Sequence, residues 1–187
     1  MCPPECTERG EAWKRLPVTR GCFVCGIENP VGLGLTLLSD GRCVEVLVQF
    51  RDEHCGFTGV VHGGLLSTVL DEVMAWVIGV NTRSFAFAAE LNVRFLRSVP
   101  PGVPLKVCAE LTANRRGRLF LTRGEVLGPD GVAYAEATGK FLPIPAAQQS
   151  VMLADFVGDP SPWIAKPAAG SALGVQDSNS VTPGNDQ

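Results

Sequence analysis

The chain has 187 residues, of which 45% are hydrophobic, and carries a net charge of -3. That is enough for one well-cored domain with extensions, and it gives no general attraction to nucleic acid or anionic membrane. The start, MCPPECTERGEAWKR, has no apolar core of signal type, and nowhere do 18 apolar residues run together, so the sequence is read as soluble and cytoplasmic, with neither a nucleic acid nor a membrane as partner.

Residues 1–21 are charged and contain proline without sustained periodicity. They are expected to form an extended arm, with a turn of helix near Glu11 to Arg15. The cysteine count of seven is odd, which suits reduced thiols better than a disulfide framework. Cys22 and Cys25 form a C-x2-C, and with Cys2 and Cys6 the spacing approaches a zinc ribbon. Two of those four lie at an extreme terminus, so we read them as structural thiols, with no metal.

Two strands are predicted next, Gly34 to Leu38 and Cys43 to Phe50, joined by a turn at Ser39, Asp40 and Gly41. In the second, Val44, Val46, Val48 and Phe50 share a face opposite Glu45 and Gln49, with Leu47 breaking the alternation. The following loop holds His54 and His62, the two histidines of the chain. A histidine just before a helix is more often a capping group than a catalyst.

The stretch HGGLLSTVLDEVMAWVI, residues 62–78, reads as the central helix. Leu65, Leu66, Val69, Leu70, Val73, Met74, Trp76 and Val77 share one face; Ser67, Thr68, Asp71 and Glu72 share the other. Gly63 and Gly64 leave room for a ligand to reach the first helical amides, which have no intrahelical partner and suit an oxygen gathering negative charge. Asp71 lies about two turns on, on the order of 10 Å along the axis, too far to act with those amides on one carbon. A second, antiparallel copy of the helix could bring one copy's amides to the other's carboxylate. A polar face lying in water explains the same four residues without chemistry. Against it, no Lys or Arg occurs between Arg51 and Arg83, which points to an occluded face.

Four strands follow. From Phe85, Phe87, Ala89, Leu91, Val93 and Phe95 alternate with Glu90, Asn92 and Arg94, predicting one buried and one polar face. Strands at Leu105 to Thr112, Arg118 to Leu127 and Val132 to Leu142 are separated by Pro and Gly turns. In the last of them Ala133, Ala135, Ala137 and Gly139 form a small-residue face against which another element could lie close. The expected fold is α+β, an antiparallel meander curled around one helix. Beyond Pro143 a short helix is expected near Val151 to Val157 and disorder after about Lys166.

CFVCGIENPVGLGL, GVVHGGLLSTVLDEVMAW and AAELNVRFLRSVPPG, in that order, resemble the hotdog-fold acyl-CoA thioesterases of the phenylacetyl-CoA type and their relatives. The resemblance covers residues 22–143, leaving 1–21 as an N-terminal arm and 144–187 as a C-terminal extension. It implies a six-stranded antiparallel sheet wrapped around the helix, a homodimer or dimer of dimers with sites shared between subunits, an acyl-CoA substrate, and no cofactor. By the same resemblance Asp71 is nucleophile or general base, the Gly63 N–H polarises the thioester carbonyl, and His62 shapes that loop. Gly64, Glu72 and Ala88 are expected at the substrate. Ala88 departs from the pattern, since many relatives have Thr or Ser there. Arg94, Arg97, Arg115, Arg116 and Arg118 are candidates for the substrate's phosphates. Two other readings stay open: a hotdog dehydratase or hydratase using His54 or His62 with Glu72, and a non-catalytic acyl-CoA-binding module.

Overall fold

A computed structural model describes residues 13–164. In chain order its elements are β1 Lys14–Arg15, β2 Val18–Thr19, β3 Leu37–Ser39, β4 Val44–Gln49, a 3-10 turn Asp52–His54, β5 Cys55–Phe57, β6 Val60–Val61, α1 Gly63–Thr82, β7 Ala86–Phe95, β8 Pro104–Asn114, β9 Phe120–Leu127, β10 Ala133–Pro143, α2 Ala146–Ala154 and β11 Phe156–Val157. The main sheet runs β1-β3-β4-β8-β9-β10-β7 with every pair antiparallel. The six expected strands are all in it, and β1 adds a two-residue edge in place of the turn of helix expected up to Arg15. Cys2, Cys6, Glu11 and the tail from residue 165 lie outside the described residues.

The sheet closes on α1 because each predicted face keeps its side. Val44, Val46, Val48 and Phe50 are all buried, while on the opposite face Leu47 stands exposed and Glu45 is buried. Leu66, Val69, Leu70, Val73, Met74, Trp76 and Val77 of α1 are buried. The small face of β10 does what its size allows: a Cβ at Gly139 would sit 2.8 Å from Met74 Cε, and one at Gly124 of β9 would sit 2.9 Å from Leu70. Glycine at these two positions lets the helix lie directly on the strands.

Helix α1 runs one turn past its expected end. Gly79, just past that expected end, is helical and buried, and Arg83 closes the helix in the left-handed region at φ 59°, donating its N–H to Gly79 O at 2.7 Å. Ile164 packs on Gly79, a Cβ there lying 3.6 Å from it, so the small residue serves a close approach. That contact belongs to a wider pattern in which the segments flanking 22–143 join the core. β11 pairs with β2, Phe156 meets Trp76 edge-on and stacks on Phe85, and Ile164 is buried. Cys22, Cys25, Cys55 and Cys108 are free thiols, but Cys43, expected to be reduced, is disulfide-bonded.

Strand β7 departs from its predicted pattern. Only Leu91 and Val93 of its apolar face are half-buried, while Phe87 and Phe95 are 54% and 51% exposed. Among the described residues β7 pairs with β10 alone and ends the sheet.

Candidate active site

The approach to α1 is built by backbone and histidine together. His62 donates its N–H to His54 O at 2.9 Å, and its ring Nδ1 accepts the Gly64 N–H at 2.9 Å. His62 is therefore the N-cap, holding one of the otherwise unpartnered first amides. His54 acts in the opposite sense, from the third position of its 3-10 turn, its Nδ1 accepting from the N-cap Arg51 N–H at 3.1 Å. Gly64, expected at the substrate, has thus committed its amide to His62. Among the described residues nothing accepts from the Gly63 N–H. That amide faces a cavity of about 430 Å3 lined by Phe57, His62, Leu66, Phe95 and Arg97. A Cβ at Gly63 would press on the Phe95 ring at 3.1 Å.

Two turns further along, the polar face of α1 is occluded as the missing counter-charges suggested. The Ser67 and Thr68 hydroxyls turn back to the carbonyls of Gly63 and Gly64 at 3.1 and 2.8 Å. Asp71 and Glu72 line a second cavity of about 250 Å3, shared with Cys22, Cys25 and Ala88 and closed on its apolar side by Phe156. Asp71 Oδ1 is shut off from solvent and has no hydrogen-bond partner. Burial raises its pKa, because an ionised carboxylate loses hydration that nothing replaces.

Glu72 sits deeper in a polar cluster. Its Oε1 lies 3.6 Å from Cys22 Sγ and 3.1 Å from Cys25 Sγ. Burial first, then the charge of Cys22, push Glu72 up to about 7, against hydrogen bonds from Cys25 and the Trp76 indole that hold it down. The Cys22 thiol is lowered to about 5, chiefly by the hydrogen bond from Cys25 and then by the amides of Cys25 and Val24. Cys25, the donor of that pair, is raised, first by the same hydrogen bond and then by burial.

The structure therefore sorts the predicted site residues into two groups. Asp71, Glu72 and Ala88 share one cavity; His62 and Gly63 line the other, with Arg97 beside them. Gly63 and Asp71 line different cavities, in keeping with their separation along the helix. Neither histidine lines the cavity that holds Glu72, so the acid-base pair a dehydratase needs is not assembled within the chain. Arg94 lies beside Glu136 at 3.8 Å on the outer surface. Sequence reasoning did not place Trp76, Phe156 and the Cys22–Cys25 pair at this cavity. The signal for Trp76 was its place one helical turn beyond Glu72; for Phe156 there was none.

Residues 58–126 match the thioesterase superfamily. Over 130 residues, 68% of this chain, the sequence is 26% identical to the acyl-coenzyme A thioesterase THEM4 of Bos taurus, and it spans about half of that relative, 53% of its length. Among solved structures it is similar to RHA08564, a thioesterase superfamily protein, with 31% identity, a TM-score of 0.60, and 67% of this chain and 61% of that one covered. It is also similar in fold to smu.793 of Streptococcus mutans UA159, bound to acetyl CoA, with 19% identity, a TM-score of 0.56, and 63% and 94% covered. A helix wrapped by an antiparallel sheet is the hotdog fold, and it is within this fold that residues 58–126 match the thioesterase superfamily.

Proposed function

We propose that this protein hydrolyses the thioester of an acyl-CoA, with Asp71 of one subunit acting against a carbonyl held by the Gly63 amide of another. One observation carries the reading: Asp71 keeps a solvent-shielded oxygen with no hydrogen-bond partner among the described residues, beside a cavity, an arrangement that costs stability and gains nothing unless a reactant meets that oxygen. The unused Gly63 amide supplies the complementary half, a donor where the carbonyl oxygen becomes negative. The acyl-CoA substrate is supported by THEM4, an acyl-coenzyme A thioesterase by name, and by the acetyl CoA bound to smu.793.

The two halves meet when a second copy lies against the exposed edge strand β7, whose uncovered Phe87 and Phe95 are the apolar surface such a homodimer would bury. Further pairing into a dimer of dimers is compatible with this arrangement. In the reaction, either an Asp71 oxygen attacks the carbonyl carbon, or Asp71 takes a proton from a water that attacks it. The carbonyl oxygen gathers charge beside the Gly63 N–H, the C–S bond then breaks, and the CoA sulfur leaves and is protonated. The first route passes through an anhydride at Asp71 that water must open; the second yields the free acid directly. Arg97, lining the Gly63 cavity, is positioned to meet CoA phosphates there. The small, aromatic-walled cavity beside Asp71 suits a compact or aryl acyl group better than a long chain.

A screen of short, medium, long and aryl acyl-CoAs, followed through released CoA thiol, tests the reading. Hydrolysis of at least one class that is lost in Asp71→Asn supports it. Binding without hydrolysis by any substrate, in wild type and variant alike, would instead establish a binding module. A single turnover in oxygen-18 water tests the anhydride route: label entering Asp71 marks an anhydride that water opens at the Asp71 carbonyl, since the activated-water route places label only in the released acid.

A further inference from the structure

We propose that Cys22, Cys25 and Glu72 form a zinc site that clasps the Cys22–Gly26 turn onto helix α1. Their three donor atoms lie within 4.8 Å of one another, although the cysteines and Glu72 are about fifty residues apart in sequence. Zinc binds thiolate sulfur at about 2.3 Å and carboxylate oxygen at about 2.0–2.2 Å, so tetrahedral donors stand roughly 3.3–3.8 Å from one another. Cys22 Sγ lies 3.6 Å from both Glu72 oxygens, and Cys25 Sγ lies 3.1 Å from Oε1. The sulfur-to-oxygen distances are within about half an ångström of that range, and the two sulfurs lie within 4.8 Å of one another.

Three features point to an ion rather than to hydrogen bonds alone. The turn is shaped around Cys22 sulfur: the N–H groups of Val24 and Cys25 are directed at it at 3.3 and 3.5 Å, the backbone support that holds a ligating thiolate. Gly26 makes the turn possible, because a Cβ there would lie 2.4 Å from Cys22 O. Glu72 is enclosed with no Lys, Arg or His in ion-pair contact among the described residues, and a divalent cation is the counter-charge its surroundings lack. Two sulfurs and one oxygen select zinc over magnesium or calcium.

Binding would require both cysteines as thiolates, so the proton held by Cys25 would leave to solvent, and a fourth position would remain for a further ligand beside the cavity that all three residues line. The clasp would fix the wall of that cavity next to Asp71. It differs from the zinc-ribbon spacing of the sequence in needing neither Cys2 nor Cys6, and it does not depend on the hydrolase reading.

The test uses the full chain purified without chelators. We expect about one zinc per chain. Replacing it with cobalt should give near-ultraviolet thiolate-to-cobalt charge transfer together with strong tetrahedral ligand-field bands. The double variant Cys22→Ser/Cys25→Ser should lose both the metal and the charge transfer. Glu72→Gln should keep the fold and weaken zinc by at least the roughly 10–100-fold that even outer-shell changes cause. Cys2→Ser/Cys6→Ser should retain the metal. The proposal is overturned by wild-type protein that takes up no zinc and gives only weak six-coordinate cobalt bands, by a Cys22–Cys25 disulfide in its place, by metal that survives the Cys22/Cys25 double variant, or by metal lost with Cys2 and Cys6.

Discussion

The two ends of the polar stripe on α1 are made differently. Around Asp71 and Glu72 the chain supplies its own enclosure: the Cys22–Cys25 turn, Ala88 on β7, and Phe156 from beyond the last long strand. Around Gly63 it supplies a free amide and an aromatic rim left open, with Phe57 81% exposed and Phe95 beside it. One chain thus completes the environment of the carboxylate but not that of the donor. The difference teaches that the open end is the surface on which the proposed second copy would lie.

The comparison breaks most sharply at the donor. Gly63 is the first helical residue, and His62 before it is already extended at ψ 125°, so proline suits the backbone there and removes the N–H, while its Cβ presses on Phe95 as that of alanine would. Gly63→Pro should lower kcat by about 10²–10³, the usual loss for one oxyanion donor, while Gly63→Ala, which keeps the N–H, should lose far less. Asp71→Asn should lower turnover by about 10² or more with acyl-CoA binding largely kept. Stopped-flow or steady-state thiol release measures both, and turnover near wild type in either variant would remove that group from the chemistry.

A charge placed on the open rim should act on assembly. Phe95→Asp should weaken the dimer by roughly 2–3 kcal/mol, the scale of an aromatic anchor, and turnover should fall as monomer accumulates. Analytical ultracentrifugation over a dilution series reads this; an unchanged association constant would put the interface elsewhere.

The enclosed end can be read through pH. With its pKa raised in the folded state, Asp71 favours folding while protonated, and that contribution is lost as pH rises through the raised value. Asp71→Asn should therefore melt higher than wild type at pH 8, by about 2–4 °C for each kcal/mol, and the gap should close in acid. A gap independent of pH would mean that the carboxylate is not desolvated. The smallest expected effect comes from Ala88→Thr, which offers Asp71 Oδ1 a hydroxyl in the same cavity. A donated hydrogen bond favours the charged form, so the acid limb of the rate profile should move to lower pH, with turnover changed only severalfold.

Much of this was legible from local pattern. The alternation at Val44 to Phe50 and the helical stripe at Leu66 to Val77 settle which side faces inward, since burial follows backbone period. Missing Lys and Arg around Asp71 signalled its enclosure. What enclosed it was not legible: Phe156 and Ile164 lie in a Pro- and Gly-rich stretch whose local composition carries no sign of a distant docking partner, and the C-x2-C gave no hint that it meets Glu72. The exposure of β7 escaped for a related reason. Alternation shows that a strand has an apolar face, but not whether its own chain covers it.

The shared site is tested most directly by pairing Asp71→Asn with Gly63→Pro in one heterodimer, isolated through two different tags. Each chain carries the lesion the other lacks, so one of the two sites holds both lesions and the other holds neither. We expect about half the wild-type turnover per dimer, from two parents that are each nearly inactive. A heterodimer no more active than its parents would show that Asp71 and Gly63 do not meet across subunits.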